Sequence, residues 1–330
     1  MLLFKGNKNI KKKINGDDGM GTKINKVISL FDGMSCGREA LKEANIEVGE
    51  YYASEIKEDA IKVTQYNHPD TIQLGSVTEL DGNRFENIGL LIGGSPCQNL
   101  SIAMAKQHRK GLDGDKSGLF YEYYRILKEV NPKYFLLENV GGMDKKDKLI
   151  ITELLGVEPI QINSRLISGQ LRNRLYWTNI PNVSQPKDKC IMLNDILLDG
   201  WSDREKSRCL LESDSRPLTT PVKMFHRYYS TGFTTLVFKS EEHYNLCVNH
   251  YNTYFKDMSA KEIDKIKDSI DCSVYEGVRY LYQEELEKLQ TMPVGYTSVL
   301  DRNSAAGLLG DGWTKDVIAH ILSFIPEGEY

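Results

Sequence analysis

The chain has 330 residues, 40% hydrophobic and 27% charged, with 42 Lys and Arg against 46 Asp and Glu for a formal charge of -4. That composition excludes a disordered chain and leaves room for one large core with a smaller second module. No apolar stretch is long enough to span a bilayer, and MLLFKGNKNIKKK reverses the order of a secretory signal, so the sequence predicts a cytoplasmic location and no membrane partner.

The total charge announces no nucleic-acid partner, so any such surface must be local. Residues 1–25 are Lys-rich and without periodicity, which predicts a flexible basic leader, with a nonspecific arm for phosphates as the alternative. From Lys26 the chain alternates apolar runs with amphipathic stretches: KVISLF, GREALKEANI, GEYYASEI, EDAIKVTQYN, IGLLIGG. That rhythm predicts strands and helices in turn, hence an α/β protein with a parallel sheet covered by helices. GLFYEYYRILKEV repeats its apolar residues at helical spacing, and YFLLENV reads as the next strand. After LYWTNIP no period is sustained, and residues 181–275 read as an insertion. Regularity returns in QEELEKLQ and in TKDVIAHILSFI, a closing helix. The six cysteines (Cys36, Cys97, Cys190, Cys209, Cys247, Cys272) form no Cys-x-x-Cys pair, so neither a metal site nor a disulfide framework is expected, and one thiol is free to be reactive.

Two turns carry the candidate chemistry. In FDGMSCGREAL, Gly33 and Gly37 flank a turn from strand to helix, where freed backbone amides suit a nucleotide-like ligand, although many such turns are only structural. Glu55 follows 18 residues after Gly37, where a carboxylate can accept from both ribose hydroxyls. A dehydrogenase would use the same carboxylate, but G-x-G-x-x-G is absent, and S-adenosylmethionine, which has no phosphate, fits more easily. In LLIGGSPCQNLS, Cys97 follows an apolar strand and emerges at the carboxyl edge of the sheet; the alternative is a small core residue. Residues 98–117, with Lys106, His108, Arg109 and Lys110, are too polar for a core and read as a lid able to close on a phosphate backbone.

FDGMSCG, SEI and GGSPCQNLS, followed in order by LLENV, QLRNRLYW, ELEKLQTMPVGYT and LGDGWTKDV, resemble the DNA (cytosine-5) methyltransferases, and within them the catalytic domains of the animal de novo enzymes. The resemblance implies a Rossmann-like S-adenosylmethionine-dependent methyltransferase fold with a small inserted target-recognition domain. Residues 26–180 and 276–330 would be catalytic and 181–275 would recognise the target. It implies that the Cys97 thiolate adds to carbon 6 of cytosine, that Glu138 meets ring nitrogen 3 and the exocyclic amine, that Arg174 reaches the carbonyl oxygen, and that Arg172 supports the carboxylate. Read as residues alone, Arg172 and Arg174 lie two apart and would share one face of a strand, or else be ordinary surface arginines.

The cofactor contacts implied are Phe31, Asp32, Gly33, Ser35, Cys36 and Gly37 around the methionine part, and Glu55 and Ile56 at ribose and adenine. Ser76, Val77, Gly94, Pro96, Leu119 and Trp313 complete the pocket, and S-adenosylhomocysteine would be the product. Ser76 stands where the family has an acidic residue for the adenine amine, and Gly312 lacks the family's polar contact. The partner implied is double-stranded DNA, with the target base swung out of the stack, Ser101 and Ile102 at the gap and Arg109 of the lid on the phosphate backbone. Within the insertion, RPLTTPVKMFHRYYSTGF mixes basic residues with Phe225, Tyr228, Tyr229 and Phe233. Lys223, His226 and Arg227 are expected to face the groove, against the alternative of a solvated surface. Pairing with itself, as the animal relatives do, stays open, as do a restriction-modification or an orphan setting. A catalytically silent paralogue should have lost one of Cys97, Glu138, Arg172 or Arg174, and all four are present. A transfer RNA methyltransferase would carry Cys-Phe-Thr, which is absent.

Overall fold

The computed structural model describes residues 21–96, 118–212, 216–218 and 220–330. Cys97, Ser101, Ile102, Arg109, the expected lid and most of the expected leader lie outside them. The leader expectation overlaps the fold at one point: strand β1 (Lys23–Leu30) begins before Lys26. The chain's last residues hold that start in place, because Lys23 and Asn25 donate backbone hydrogen bonds to Gly328 and Tyr330.

Seven strands form one sheet in the order β3-β2-β1-β4-β5-β7-β6. Besides β1 they are β2 (Glu47–Ser54), β3 (Ile72–Gln73), β4 (Leu90–Gly94), β5 (Tyr134–Val140), β6 (Ile160–Asn163) and β7 (Asn173–Thr178). The pairs among β1 to β5 are parallel, as expected. β7 runs antiparallel to both β5 and β6, so the sheet is mixed where the sequence predicted a parallel one. The strand order reverses at β1, between β2 and β4. In open α/β sheets the crevice beyond the carboxyl ends at such a reversal is where ligands bind.

Alternation along the strands divides the core in two. In β5, Tyr134 and Leu136 face one cluster, while Phe135 and Leu137 face the other. The first cluster is roofed by α1 (Cys36–Glu43), α2 (Glu58–Asn67), α8 (Gln283–Leu289), α9 (Arg302–Asp311) and α10 (Lys315–Leu322), with α1 packed on α10. The second lies under α3 (Leu119–Val130) and α4 (Lys145–Leu155). Local chemistry sets the ends of these helices. α3 stops at Asn131, in left-handed geometry ahead of Pro132. Asp144 caps α4 through the Lys146 amide, and Gly156 closes it at φ 70°.

The expected insertion contains more regular structure than its sequence suggests: α5 (Pro221–Thr231), α6 (Glu241–Tyr254) and α7 (Ala260–Ile266). α6 is hard to read because only Cys247 and Tyr251 of its residues are buried, whereas a capping box joining Ser259 and Glu262 marks the start of α7. These helices share a separate apolar cluster centred on Phe225, whose ring meets those of Tyr228, Tyr229, Phe238, Tyr251 and Tyr275. Leu193 and Leu210, earlier in the insertion, pack instead into the main core. Among the described residues no helix is long and apolar enough to cross a membrane.

Truncating a fully buried aromatic ring costs about 3–5 kcal/mol. Phe225→Ala is therefore expected to lower the unfolding free energy by that amount in urea titrations, and a loss below about 1 kcal/mol would contradict the central place given to this ring.

Candidate active site

At the carboxyl end of β1 the chain turns sharply. Phe31, Gly33 and Ser35 have φ of 56°, 60° and 60°, and α1 starts at Cys36. Asp32, buried in the turn, accepts from the Tyr51 hydroxyl at 2.8 Å and from the Ser35 hydroxyl. Burial pushes its carboxyl up to about 6; hydrogen bonds from Ser35 and Tyr51 oppose that shift and the nearby charge of Glu55 adds to it. Burial also pushes the Cys36 thiol up to about 12, so this cysteine is a neutral wall and not a nucleophile.

Glu55, just past β2, binds the turn to the next strand. Its Oε2 accepts from the Gly33 amide at 2.8 Å, and its Oε1 accepts from the amides of Ile56 (2.8 Å) and Lys57 (2.9 Å). Ile56 beside it is 71% exposed despite being apolar, and a Cβ built on Gly33 would meet nothing within 4 Å among the described residues. A carboxylate, an apolar slab and open space therefore adjoin at the reversal point of the sheet. Ser76 is used locally: its hydroxyl accepts from the Thr78 amide at 3.3 Å and caps the short turn Val77–Glu79. Val77 and Leu119 join the second core cluster, Leu119 from its edge.

A second group of side chains sits at the ends of β5 and β7. The register places Val140 opposite Arg174 and Glu138 opposite Tyr176, so Glu138 and Arg174 are diagonal neighbours on one face. Arg174 Nε lies 2.7 Å from Glu138 Oε1, and the Trp313 indole donates to Glu138 Oε2 at 3.2 Å. Trp313 connects the two groups, because a Cβ on Gly37 would come within 3.3 Å of its ring and a Cβ on Gly94 within 2.7 Å of its Nε1. Glycine at 94 and 37 is what lets the indole lie across the strand end. Asn139 ties the next loop down, donating to the Ser95 hydroxyl at 3.1 Å, immediately before Pro96.

Arg172 differs from the expectation drawn for it. It precedes β7 and is 3% exposed, and its guanidinium donates to the carbonyls of Leu210 (3.1 Å), Gly310 (3.1 Å) and Gly312 (2.7 Å). It is Arg174 that touches the carboxylate, while Arg172 pins the end of α9 to the strand. Gly312, noted for its missing side chain, contributes its carbonyl here. The sequence also gave no reason to single out Cys209, whose sulfur lies 3.2 Å from Arg172 Nη1 and 3.9 Å from Arg174 Nη2. Only the fold brings these distant segments together.

In the helical insertion, Lys223 is paired with Asp264 at 2.6 Å and His226 Nδ1 lies 2.7 Å from the Tyr251 hydroxyl. Arg227 is half-buried on the same helix. Phe225 and Tyr228 are core residues, and Phe233, 70% exposed, stands outside that core. Among the described residues no group of His, Cys, Asp and Glu is placed to hold a metal.

Residues 25–155 match the family described as C-5 cytosine-specific DNA methylase. Relatives of this chain include "Orphan methyltransferase M.SPRI" of Bacillus phage SPR, 26% identical over 254 residues, a stretch that is 73% of this chain and 56% of the relative. "Type II methyltransferase M.NgoBV" of Neisseria gonorrhoeae is 34% identical over 135 residues, 40% of this chain and 31% of that protein. The matched stretches thus span about half or less of these relatives' length. The narrower likeness to the animal de novo enzymes stays one of motifs. Among solved structures, a variant of Spodoptera frugiperda DNMT2 superposes with a TM-score of 0.65 at 17% identity, covering 91% of this chain and 99% of that one. Entamoeba histolytica methyltransferase EhMeth gives 0.64 at 17% identity, over 91% and 97%. At such identities these two neighbours speak for the fold, the α/β Rossmann-like methyltransferase architecture that the motifs implied.

Asp32 gives this site a pH signature. Its folded pKa is raised, so between about pH 4 and pH 6 the unfolded chain gives up this proton before the folded one does, and stability falls as the pH rises through that window. At about 1.4 kcal/mol per pKa unit the loss above pH 6 is on the order of 3 kcal/mol. Asp32→Asn should therefore melt a few degrees above wild type at pH 7.5, with the gap narrowing toward pH 4.5. Equal gaps at the two pH values in a thermal denaturation series would refute this.

Proposed function

We propose that the chain is a DNA (cytosine-5) methyltransferase using S-adenosylmethionine, with Cys97 as nucleophile and Glu138 and Arg174 as the groups that meet the base. The observation that carries this reading is the Glu138, Arg174 and Trp313 cluster. It is built on β5 directly opposite Gly94, which stands three residues before Cys97 in the sequence Gly-Ser-Pro-Cys. The match to the methylase family over residues 25–155 supports it independently.

The residues at the sheet reversal suit the cofactor. Glu55 oxygens retain lone pairs beyond those used by the three amides and would accept from ribose hydroxyls. Ile56 offers an exposed apolar surface for adenine, and the space over Gly33 would admit the methionine part. Phe31, Asp32, Ser35, Cys36 and Gly37 shape that turn, Pro96 and Leu119 border it, and the Trp313 ring separates it from the base site. Ser76, whose hydroxyl accepts from the Thr78 amide, would offer its second lone pair to the adenine amine. When bound, the cofactor supplies an electrophilic methyl group for carbon 5.

The chain's own groups activate the base. Addition of the Cys97 thiolate at carbon 6 pushes an electron pair into the ring. The Glu138 carboxyl shares a proton with ring nitrogen 3 as negative charge develops there, and Arg174 donates to the carbonyl oxygen. Removal of the carbon 5 proton then returns the electron pair and expels the thiolate. Arg172 acts one step back, holding the Gly310 to Gly312 backbone and therefore Trp313. A base inside a duplex lies out of reach of this edge, so the target cytosine must be everted, with Ser101 and Ile102 at the vacated position and Arg109 on the phosphate backbone. Residues 181–275 would read the sequence around it. There Lys223 and His226, which now meet Asp264 and Tyr251, would turn to DNA together with Arg227 of the same helix.

Purified protein is expected to move a labelled methyl group from S-adenosylmethionine to carbon 5 of cytosine in duplex DNA, and Cys97→Ser to abolish that transfer. Methylation restricted to RNA, or unchanged in the variant, would overturn the reading. Glu138→Gln should lower kcat by about two to four orders of magnitude while calorimetric binding of S-adenosylmethionine stays within a fewfold of wild type.

A further inference from the structure

Arg172 and Arg174 bring their guanidiniums to one sulfur, that of Cys209, yet only Arg174 is also paired with a carboxylate, that of Glu138. Among the described residues no ion pair involves Arg172, although it is 3% exposed. A buried guanidinium without an anion is costly, and two of them side by side repel one another and compete for the same partner.

Cys209 occupies the place where an anion is needed. Its segment is fixed beside the approach to β7: Leu171 donates to the Ser207 carbonyl at 2.9 Å, Ser207 donates back to Gly169 at 2.7 Å, and the Leu210 amide donates to Gln170 Oε1 at 3.3 Å. That pairing sets the sulfur between the two guanidiniums, 3.2 Å from Arg172 Nη1 and 3.9 Å from Arg174 Nη2. Burial alone would raise this thiol, but the charges and hydrogen bonds of Arg172 and Arg174 outweigh it and hold the pKa below the ordinary thiol value. Cys36, more deeply buried and beside the Asp32 carboxyl, is instead pushed up to about 12.

We infer that Cys209 is a positioning residue for the reaction proposed above. Its sulfur sits between Arg172 and Arg174 and accepts from both guanidiniums, so that the Arg174 plane is fixed where it meets the base. Among the described residues Arg174 is held by Glu138 at Nε, by the Asn173 carbonyl at Nη1 (2.9 Å) and by Cys209 at Nη2. Without the sulfur the restraint at Nη2 goes. The inference rests on the methyltransferase reading and adds a residue to it.

The test uses the full chain as wild type, Cys209→Ala and Cys209→Ser, measuring kcat for methyl transfer to duplex DNA at saturating cofactor, the calorimetric Kd for S-adenosylmethionine, and the melting temperature. Small displacements of a group that positions the reacting centre cost up to about a hundredfold in rate. The expected result is a kcat about ten- to a hundredfold lower in Cys209→Ala with Kd within twofold of wild type. Cys209→Ser should lie between the two, because its hydroxyl can still accept from both guanidiniums but stays neutral. A Cys209→Ala kcat within twofold of wild type overturns the inference. So does a serine variant no better than alanine, or a fall in kcat matched by equal losses of cofactor binding and melting temperature, which is what a purely structural role would give. Should the alanine chain fail to fold, the serine variant decides: an undiminished kcat overturns the inference, and a reduced kcat at unchanged Kd and melting temperature supports it. Wild-type protein without transfer to DNA defeats the methyltransferase reading itself and this inference with it.

Discussion

Glu138 and Arg174 meet because β7 runs back antiparallel along β5, and that one reversal of strand direction organises the rest of the site. In the register observed, Val140 faces Arg174, which leaves Glu138 one diagonal step away at 2.7 Å. A slip of one residue would turn Arg174 to the opposite face of the sheet and leave the carboxylate buried without a cation. The register is protected by what lies beneath it: Leu175 and Trp177 are locked into one core cluster and Tyr176 into the other. The packed interior thus fixes a polar contact at its rim.

From that ion pair the constraint spreads outward. Trp313 reaches Glu138 from α10's approach, and its indole fits only because Gly94 and Gly37 present no side chain. Arg172, holding the carbonyls of Gly310 and Gly312, keeps the backbone ahead of Trp313 from moving away. The glycine turn after β1 lies on the other side of the same indole, with Asp32 buried and its carboxyl raised. Each of these polar groups is nearly enclosed and has a partner, and in a low-dielectric setting such networks specify one arrangement rather than several.

Much of this was legible in the chain itself. YFLLENV read as a strand, and the structure has a strand there with all seven residues buried. FDGMSCG and Glu55 promised a ligand turn, and the structure joins them through the Gly33 amide and the Glu55 carboxylate. The three helices of the insertion were not legible, because helix α6 hides its apolar contacts behind an almost evenly polar sequence. The mixed basic and aromatic stretch around Phe225 suggested a surface, whereas two of its rings, Phe225 and Tyr228, belong to a core and Tyr229 and Phe233 stay exposed. Burial is a property of neighbours, and those neighbours, Phe238, Tyr251 and Tyr275, come from elsewhere in the chain.

By itself the sequence determined the alternating α/β architecture, the two turns where chemistry is proposed, and the residue types available there, since periodicity, glycine placement and short motifs are local properties. Tertiary structure alone decided which arginine meets Glu138, what Arg172 does instead, and that Cys209 stands between them. Those contacts link residues 35 to 140 positions apart, and their distances follow from strand direction and packing, which no stretch of sequence encodes on its own.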